Sequence, residues 1–287
     1  MRRVPLVPAP VLVLGAVTSV QSGAAVATKL FPAVGPVGAV FLRLLLAGAL
    51  LVGVARPRAR AVGRSPLLLA VLFGVALAAM NCSFYLAIDR IPLGVAVTIE
   101  FLGPLSVAIA GSRRRLDLVW VVFAAAGVAL LAGGGGRLDA VGLLLAAVAG
   151  GFWAAYILLS QRVGRAIPGM AGLAIAMTVG AVAVAPWGIV SGGRALVRPT
   201  VFGRGLAVAV LSSAIPYSLE LMALRRLAAS VFGILMSLEP AVAALSGLAF
   251  LGQRLVWHEW VAIGCVMVAS VGATSQAEQL EPVEVTP

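Results

Sequence analysis

Charged residues are scarce in this sequence. Only 11% of the 287 residues are Asp, Glu, Lys or Arg, and the chain has a single histidine, His258. Because soluble domains carry about 25% charged residues, a soluble fold of this length would have too few charges to cover its apolar surface. Hydrophobic residues make up 62% of the chain, and the mean hydropathy is +1.10. The sequence therefore predicts an all-α integral membrane protein whose solvent is lipid.

Signatures of catalytic and metal sites are also missing. Cys82 and Cys265 both lie in apolar stretches and form neither a CxxC motif nor a metal-ligand spacing. The sequence has no G-x-S-x-G or HExxH motif, and no GK[ST] follows the glycine run 133–136. We therefore expect no metal, no cofactor and no enzymatic activity. An intramembrane enzyme and a channel are the alternatives from other classes, and the absence of a filter signature also disfavours the channel.

The basic residues form short clusters between apolar stretches, although the formal net charge is +11. This distribution is typical of loop anchors and argues against a nucleic-acid partner. If the chain crosses the membrane ten times from an inner N-terminus, the inner segments hold 13 arginines and the outer segments hold 6. The bias predicts that both termini are cytoplasmic.

Ten apolar stretches are long enough to cross a bilayer, which needs about 20 apolar residues per helix. We number them as spans one to ten. The acidic segment 277–287 is predicted to be a disordered cytoplasmic tail. The predicted spans are 10–31, 36–55, 66–86, 93–111, 117–133, 140–160, 170–190, 205–223, 229–251 and 257–275.

The two halves of the chain resemble each other. With an offset of 136, residues 87–111 align on residues 223–247, and the identical pairs include Arg90 with Arg226 and Pro104 with Pro240. If each repeat has five helices, an odd number, the second repeat inserts upside down relative to the first. Because inverted repeats are typical of secondary transporters, this pattern favours transport.

Four stretches resemble the EamA family of the drug/metabolite transporter superfamily, in particular its bacterial inner-membrane exporters of threonine and homoserine. They are SVQSGA (19–24), MNCSFYLAIDRIPLGVAVTIEFLGPL (80–105), GGFWAAYILLSQRVG (150–164) and IPYSLELMALRRLAASVFGILMSLEPAVAALSGLAFLG (215–252).

The resemblance implies ten transmembrane helices in two inverted five-helix EamA repeats, residues 1–137 and 138–276. It further implies export of small amino acids from the cytoplasm, driven by the proton gradient, in the inner membrane. Export of other metabolites or of drugs is the alternative within the family. One position departs from the family pattern, because Gln253 replaces a common glutamate, and this replacement weakens the prediction of proton coupling.

Arg43 and Glu100 are predicted to meet inside the membrane. Each lies about seven residues into its span, or roughly 10 Å deep at 1.5 Å per residue. Charged groups at this depth usually face a cavity or a partner. Arg43 could bind a substrate carboxylate with Glu100 as its counter-ion, or the two could form a permanent ion pair that fixes helix packing.

Glu239 lies near the midplane of span nine and is followed by Pro240, which removes a helical hydrogen bond and frees a carbonyl. A carboxylate beside broken backbone is a candidate proton or ammonium site. The alternative is a protonated glutamate bonded to the freed carbonyl as a structural plug.

Polar side chains on other spans complete the candidate set. Ser213, Tyr217 and Glu220 share one face of span eight, although Glu220 could instead neutralise Arg225 or Arg226. The rest could equally be interhelical contacts, and they are Gln21 on span one, Asn81 and Tyr85 on span three, and Tyr156 on span six.

Overall fold

The computed structural model describes residues 8–56, 63–110, 117–132, 138–167, 169–224 and 229–277. All regular structure in these ranges is helical. The α-helices are α1 (Ala9–Thr28), α2 (Phe31–Ala55), α3 (Arg64–Ile88), α4 (Leu93–Glu100), α5 (Leu102–Ala110), α6 (Asp117–Ala132), α7 (Ala140–Ala166), α8 (Ala171–Gly192), α9 (Pro199–Ala209), α10 (Ile215–Leu224), α11 (Ala229–Met236), α12 (Glu239–Leu251) and α13 (Trp257–Ala277).

These helices account for the ten predicted spans. Six helical stretches are long and apolar enough to cross a membrane, and four shorter apolar stretches supply the others. The exterior is apolar as well, since Val182, Trp187 and Val190 on α8 are each at least 68% exposed. Such a surface requires a lipid environment, so the chain is a multi-pass membrane protein. The shorter stretches are Leu93–Val107, Val119–Leu131, Pro199–Ala214 and Trp257–Gly272.

Three spans are not single regular α-helices. The sequence predicted broken backbone beside Glu239 in span nine but predicted continuous helices for spans four and eight. Span four consists of α4 and α5, interrupted at Phe101, and span nine consists of α11 and α12, interrupted at Ser237 and Leu238. Span eight contains a π-helical turn at Val210–Ala214 between α9 and α10. With the offset of 136, Phe101 corresponds to Ser237, so spans four and nine break at the same register. Each break comes shortly before a proline, Pro104 or Pro240, whose missing N–H is tolerated in the first turn of a helix.

Helix contacts run mainly between the two halves of the chain. Span one contacts span eight, α2 contacts α8, α3 contacts α7, α4 contacts α12, and α6 contacts α13. If each span is replaced by the span five places away in the chain, every pair in this set becomes a pair of the same set.

Small residues allow the helices around the centre of the bundle to approach closely. A Cβ added at Gly94 of α4 would lie 2.7 Å from the Cα of Ala244 on α12. A Cβ at Gly150 of α7 would lie 2.8 Å from the carbonyl oxygen of Glu100. These contacts bring α4, α7 and α12 together around the middle of the bundle.

Two side-chain contacts secure the connections beside spans four and six. The Leu93 backbone N–H donates to Oε1 of Gln253 at 3.0 Å, which caps the N-terminus of α4. Gln253 therefore has a structural partner where the resemblance implied a glutamate. Arg90 donates through Nη1 to Oδ2 of Asp139 at 3.0 Å, and Asp139 caps α7 by accepting from the Val141 N–H.

Candidate functional site

A cavity of about 180 Å³ lies among spans one, two, three, four, six, eight and nine. Four charged side chains that the sequence places within apolar spans line it, namely Arg43, Glu100, Glu220 and Glu239. Because charge at this depth is costly unless it serves a cavity or a partner, this cavity is the candidate functional site. Its polar lining residues are Gln21, Arg43, Asn81, Glu100, Tyr156, Ser212, Glu220 and Glu239.

The guanidinium of Arg43 is oriented by two neighbours. Its Nη1 donates to the Tyr85 hydroxyl at 3.3 Å, and its Nη2 donates to the carbonyl oxygen of Ser212 at 3.2 Å. The guanidinium carbon also lies 5.8 Å from the centre of the Tyr85 ring, within cation–π range. Tyr85 is fully buried, so Arg43 rests on a rigid support while it lines the cavity.

The π-helical turn explains why a backbone carbonyl serves Arg43. A π turn disrupts the regular i to i−4 ladder and leaves carbonyl groups for other donors. Ser19 on α1 uses one of them, donating to the carbonyl of Leu211 at 2.7 Å, and Arg43 uses the next. Pro216 lies four residues after Ser212 and has no N–H, so the Ser212 carbonyl also lacks its regular helical donor. Our sequence reasoning did not use this signal and therefore missed Ser212.

Glu239 is the first residue of α12 and is held from α1. Nε2 of Gln21 donates to Oε1 of Glu239 at 2.9 Å across 218 residues of chain. The observed partner of Glu239 is therefore Gln21. The sequence had suggested the backbone carbonyl freed by Pro240 as a partner. The second oxygen of Glu239 and Oε1 of Gln21 are buried without a hydrogen-bond partner among the described residues.

Three carboxylates share the cavity with Arg43. Glu100 ends α4, is 7% exposed, and lies within electrostatic range of both Arg43 and Glu239. Glu239 in turn lies within range of Glu220 on α10. Glu239 therefore lies near both of the other carboxylates.

The remaining predicted residues fall into three groups. Asn81 and Tyr156 line the cavity, and Asn81 also donates to the Leu77 carbonyl at 2.8 Å. Tyr85 lies behind Arg43. Ser213 is buried, and the side chain of Tyr217 lies outside the described part of the chain, as do Arg225 and Arg226.

Bulky apolar side chains form the rest of the cavity wall. They include Met80 and Phe84 of α3, Met236 of α11 and Trp153 of α7. Trp153 is braced edge-on against Phe101, with ring centres 5.5 Å apart. The cavity can thus hold a small molecule that carries both charges, with a guanidinium for its anion and carboxylates for its cation.

Comparison with known families identifies a match in the second half of the chain. The profile of the EamA-like transporter family matches residues 140–275. Among solved structures, one titled only "Crystal structure of protein" has a TM-score of 0.63 at 21% sequence identity. It covers 95% of this chain and 99% of that chain, which supports the fold alone.

Curated relatives match over most of the length of the chain. The "Threonine/homoserine exporter RhtA" of Escherichia coli (strain K12) is 44% identical over 277 residues, covering 96% of this chain and 94% of that protein. The protein of the same name from Salmonella typhimurium (strain LT2) is 44% identical over 269 residues, covering 92% and 91%. The "Uncharacterized transporter YwfM" of Bacillus subtilis is 27% identical over 212 residues, covering 70% and 71%. All three are named as exporters or transporters, not as enzymes.

Proposed function

The chain belongs to the EamA-like transporter family, and on that premise we propose that it exports small amino acids such as threonine and homoserine from the cytoplasm. The observation that carries the proposal is the central cavity of about 180 Å³, which combines one guanidinium with three carboxylates. A free amino acid offers a carboxylate and an ammonium group on one carbon, so both charges find partners at short range. The names of the 44% identical relatives agree with this substrate class.

Arg43 binds the substrate carboxylate in this proposal. Its guanidinium is preorganised by Tyr85 and Ser212, and a planar fork can donate two parallel hydrogen bonds to a carboxylate. Glu100 serves as the counter-ion of Arg43 in the empty site and receives the ammonium group in the loaded one. Asn81, Tyr156 and Tyr217 supply further hydrogen-bonding groups.

Glu239 couples transport to the proton gradient in this proposal. Its carboxylate lies at a broken helix in the middle of span nine, with a single amide donor on one oxygen. Glu239 would take up a proton on one side of the membrane and release it on the other. The proton and the amino acid would then cross the membrane in opposite directions.

Alternating access follows from two inverted repeats, residues 1–137 and 138–276, that rock against each other. Two observations support this arrangement: the breaks in spans four and nine share one register, and the five pairs of contacting spans named above map onto one another when spans are exchanged five places along. We further propose an inner-membrane location with both termini, and the acidic tail 277–287, in the cytoplasm. The excess of arginines in inner segments supports that orientation.

Transport can be tested in inverted membrane vesicles energised by a proton gradient. We expect labelled threonine and homoserine to accumulate, and an uncoupler to abolish the accumulation. Absence of accumulation of both amino acids, in vesicles that contain folded protein, would overturn the substrate assignment.

The role of Arg43 has its own test. Arg43→Lys keeps the charge but removes the planar fork, so we expect a large rise in KM for threonine. Full transport by Arg43→Lys would exclude bidentate recognition of the carboxylate by this residue.

A further inference from the structure

The cavity contains more acidic groups than an ordinary amino acid requires. Glu100, Glu220 and Glu239 face one guanidinium, Arg43. A zwitterion has no net charge, so its binding leaves this excess unchanged. Since uncompensated buried charge is costly, the surplus carboxylates need protons or a second cationic group. The coupling role proposed for Glu239 assigns the proton to one of them and leaves another for a ligand.

The neighbours of each carboxylate in the cavity indicate which one is available. A substrate held by Arg43 through its carboxylate presents its α-ammonium group two bonds away, next to Glu100, which lies within electrostatic range of Arg43. Glu239 and Glu220 line the same cavity and lie near each other, so the side chain of this substrate can be directed toward Glu220. Among the residues that the structure describes, Glu220 accepts no hydrogen bond and forms no ion pair.

We propose that the same cavity also transports short diamino acids, such as 2,3-diaminopropionate and 2,4-diaminobutyrate, with Glu220 binding the side-chain ammonium group. This inference rests on the proposed function, because it uses the same place for the α-carboxylate. 2,4-Diaminobutyrate is homoserine with the terminal hydroxyl replaced by an ammonium group. The two molecules have nearly the same shape and differ in one charge.

The apolar wall limits how long such a side chain can be. Met80, Phe84, Trp153 and Met236 surround the polar groups, and the free volume is about 180 Å³. Trp153 cannot move aside freely because its ring is braced against Phe101. We therefore expect the two short diamino acids to be accepted and lysine, with its longer side chain, to be disfavoured.

Counterflow in proteoliposomes tests substrate recognition without a proton gradient. Vesicles containing the purified full-length protein are loaded with unlabelled homoserine, 2,4-diaminobutyrate or norvaline, and uptake of labelled 2,4-diaminobutyrate and labelled homoserine is followed. We expect both homoserine and diaminobutyrate to drive exchange of either label. Norvaline, which has the same length but an apolar end, should drive little exchange. Exchange of homoserine without exchange of diaminobutyrate would overturn the inference.

The assignment to Glu220 is tested by the ratio of the two substrates. Because a hydrogen bond to a charged group is lost, Glu220→Gln should lower the ratio of diaminobutyrate to homoserine exchange about tenfold or more. A ratio equal to that of the wild type, whatever the absolute rates, would exclude Glu220 as the ammonium site. That outcome is also expected if Glu220 only neutralises Arg225 or Arg226.

A second variant covers the case in which Glu220→Gln is inactive or unstable. Glu220→Asp keeps the charge but withdraws it by one methylene group, so the preference should move from 2,4-diaminobutyrate toward the longer ornithine. An unchanged preference would contradict the assignment. If homoserine does not exchange in the wild type but labelled diaminobutyrate does, the proposed function fails and the diamino acid site stands.

Discussion

Spans four and nine occupy equivalent positions in the two halves of the chain, and their breaks are built differently. In span four the residue before the proline is Gly103, where an added Cβ would collide with the carbonyl oxygen of Gly150 on α7. In span nine the equivalent residue is Glu239, whose carboxylate bonds Gln21 and lines the cavity. One position is filled by neighbouring backbone and the other by a charged side chain.

The residues at the breaks differ in the same way. Phe101 in span four packs edge-on against Trp153, whereas Ser237 in span nine shares a hydrogen bond of 2.7 Å with Ser270 on α13. Since both spans break at one register despite these differences, the break belongs to the architecture common to both halves. Both breaks adjoin a glutamate of the cavity, Glu100 before the break in span four and Glu239 after the break in span nine. The residue that precedes the proline is ionisable in span nine only. Variants at the two breaks should therefore fail for different reasons.

Glu239→Gln should have the largest effect on transport. The amide can still bond Gln21 but cannot release a proton, so we expect uncoupler-sensitive accumulation of labelled threonine in inverted vesicles to fall to the level of vesicles without the protein. Glu259→Gln is the matched control, because Glu259 is also buried but accepts from the Val256 N–H at 2.7 Å outside the cavity. An amide oxygen can accept the same bond.

Accumulation that persists in Glu239→Gln would remove this carboxylate from the coupling path. Equal losses of accumulation in Glu239→Gln and Glu259→Gln would indicate a general effect of removing a buried acid. Glu239 would then have no special role at the break of span nine.

Gly103→Ala should lower the stability of the fold more than it alters substrate or proton binding. The added methyl group forces α5 and α7 apart at a backbone contact, and overpacking of this kind costs about 1–3 kcal/mol. Thermal unfolding of the purified protein in detergent measures the loss. Gly151→Ala is the control on α7, since its Cβ would meet nothing within 4 Å, and alanine is the better helix former by about 1 kcal/mol. Equal destabilisation by both variants would refute the close contact at Gly103.

Ser237→Ala should have a smaller effect on stability. Ser237 is fully buried, and its hydroxyl bonds both Ser270 and the carbonyl of Gly233. Losing a buried hydrogen bond of this type costs about 1 kcal/mol. Ser270→Ala should cost a similar amount, and the double variant should lose less than the sum if the two hydroxyls act as a pair. Strict additivity in thermal unfolding would show that they do not.

The sequence located the cavity because charge is costly inside a membrane. Arg43, Glu100 and Glu239 stand out among apolar neighbours for that reason. Proline likewise marked the break of span nine, although the sequence did not show that the new helix begins at Glu239. Pro104 is the repeat partner of Pro240, but no break was predicted in span four.

Contacts that depend on tertiary structure were out of reach. Gln21 and Glu239 are 218 residues apart, and the sequence gives no sign that α1 crosses span nine at that point. The Ser212 carbonyl that serves Arg43 does have a local signal, because Pro216, four residues later, cannot donate to it. The sequence does not show, however, that this carbonyl meets Arg43, which is 169 residues away.

The ion pair of Arg90 and Asp139 gives the smallest expected effect, and it lies at the entrance to span four rather than at the break. The hydrogen bond from the Arg90 side chain, followed by that from the Val141 N–H, lowers the pKa of Asp139 below its ordinary value. A lowered pKa means that the ionised group stabilises the folded state above the ordinary carboxyl pKa of about 3.9. This contribution is lost as the pH falls through the lower value in the folded protein.

Asp139→Asn should therefore unfold slightly earlier than the wild type at pH 7, and the difference should disappear in strong acid. Both side chains are partly exposed, at 46% and 37%, so solvent and salt screening keep the effect small. Asp89→Asn is the control, because it removes a nearby exposed charge without breaking the pair. A difference for Asp139→Asn that persists below the pKa of the folded carboxyl would mean that the asparagine disturbs the cap of α7. The entrance to span four would then be held by that cap, and the ion pair would add little.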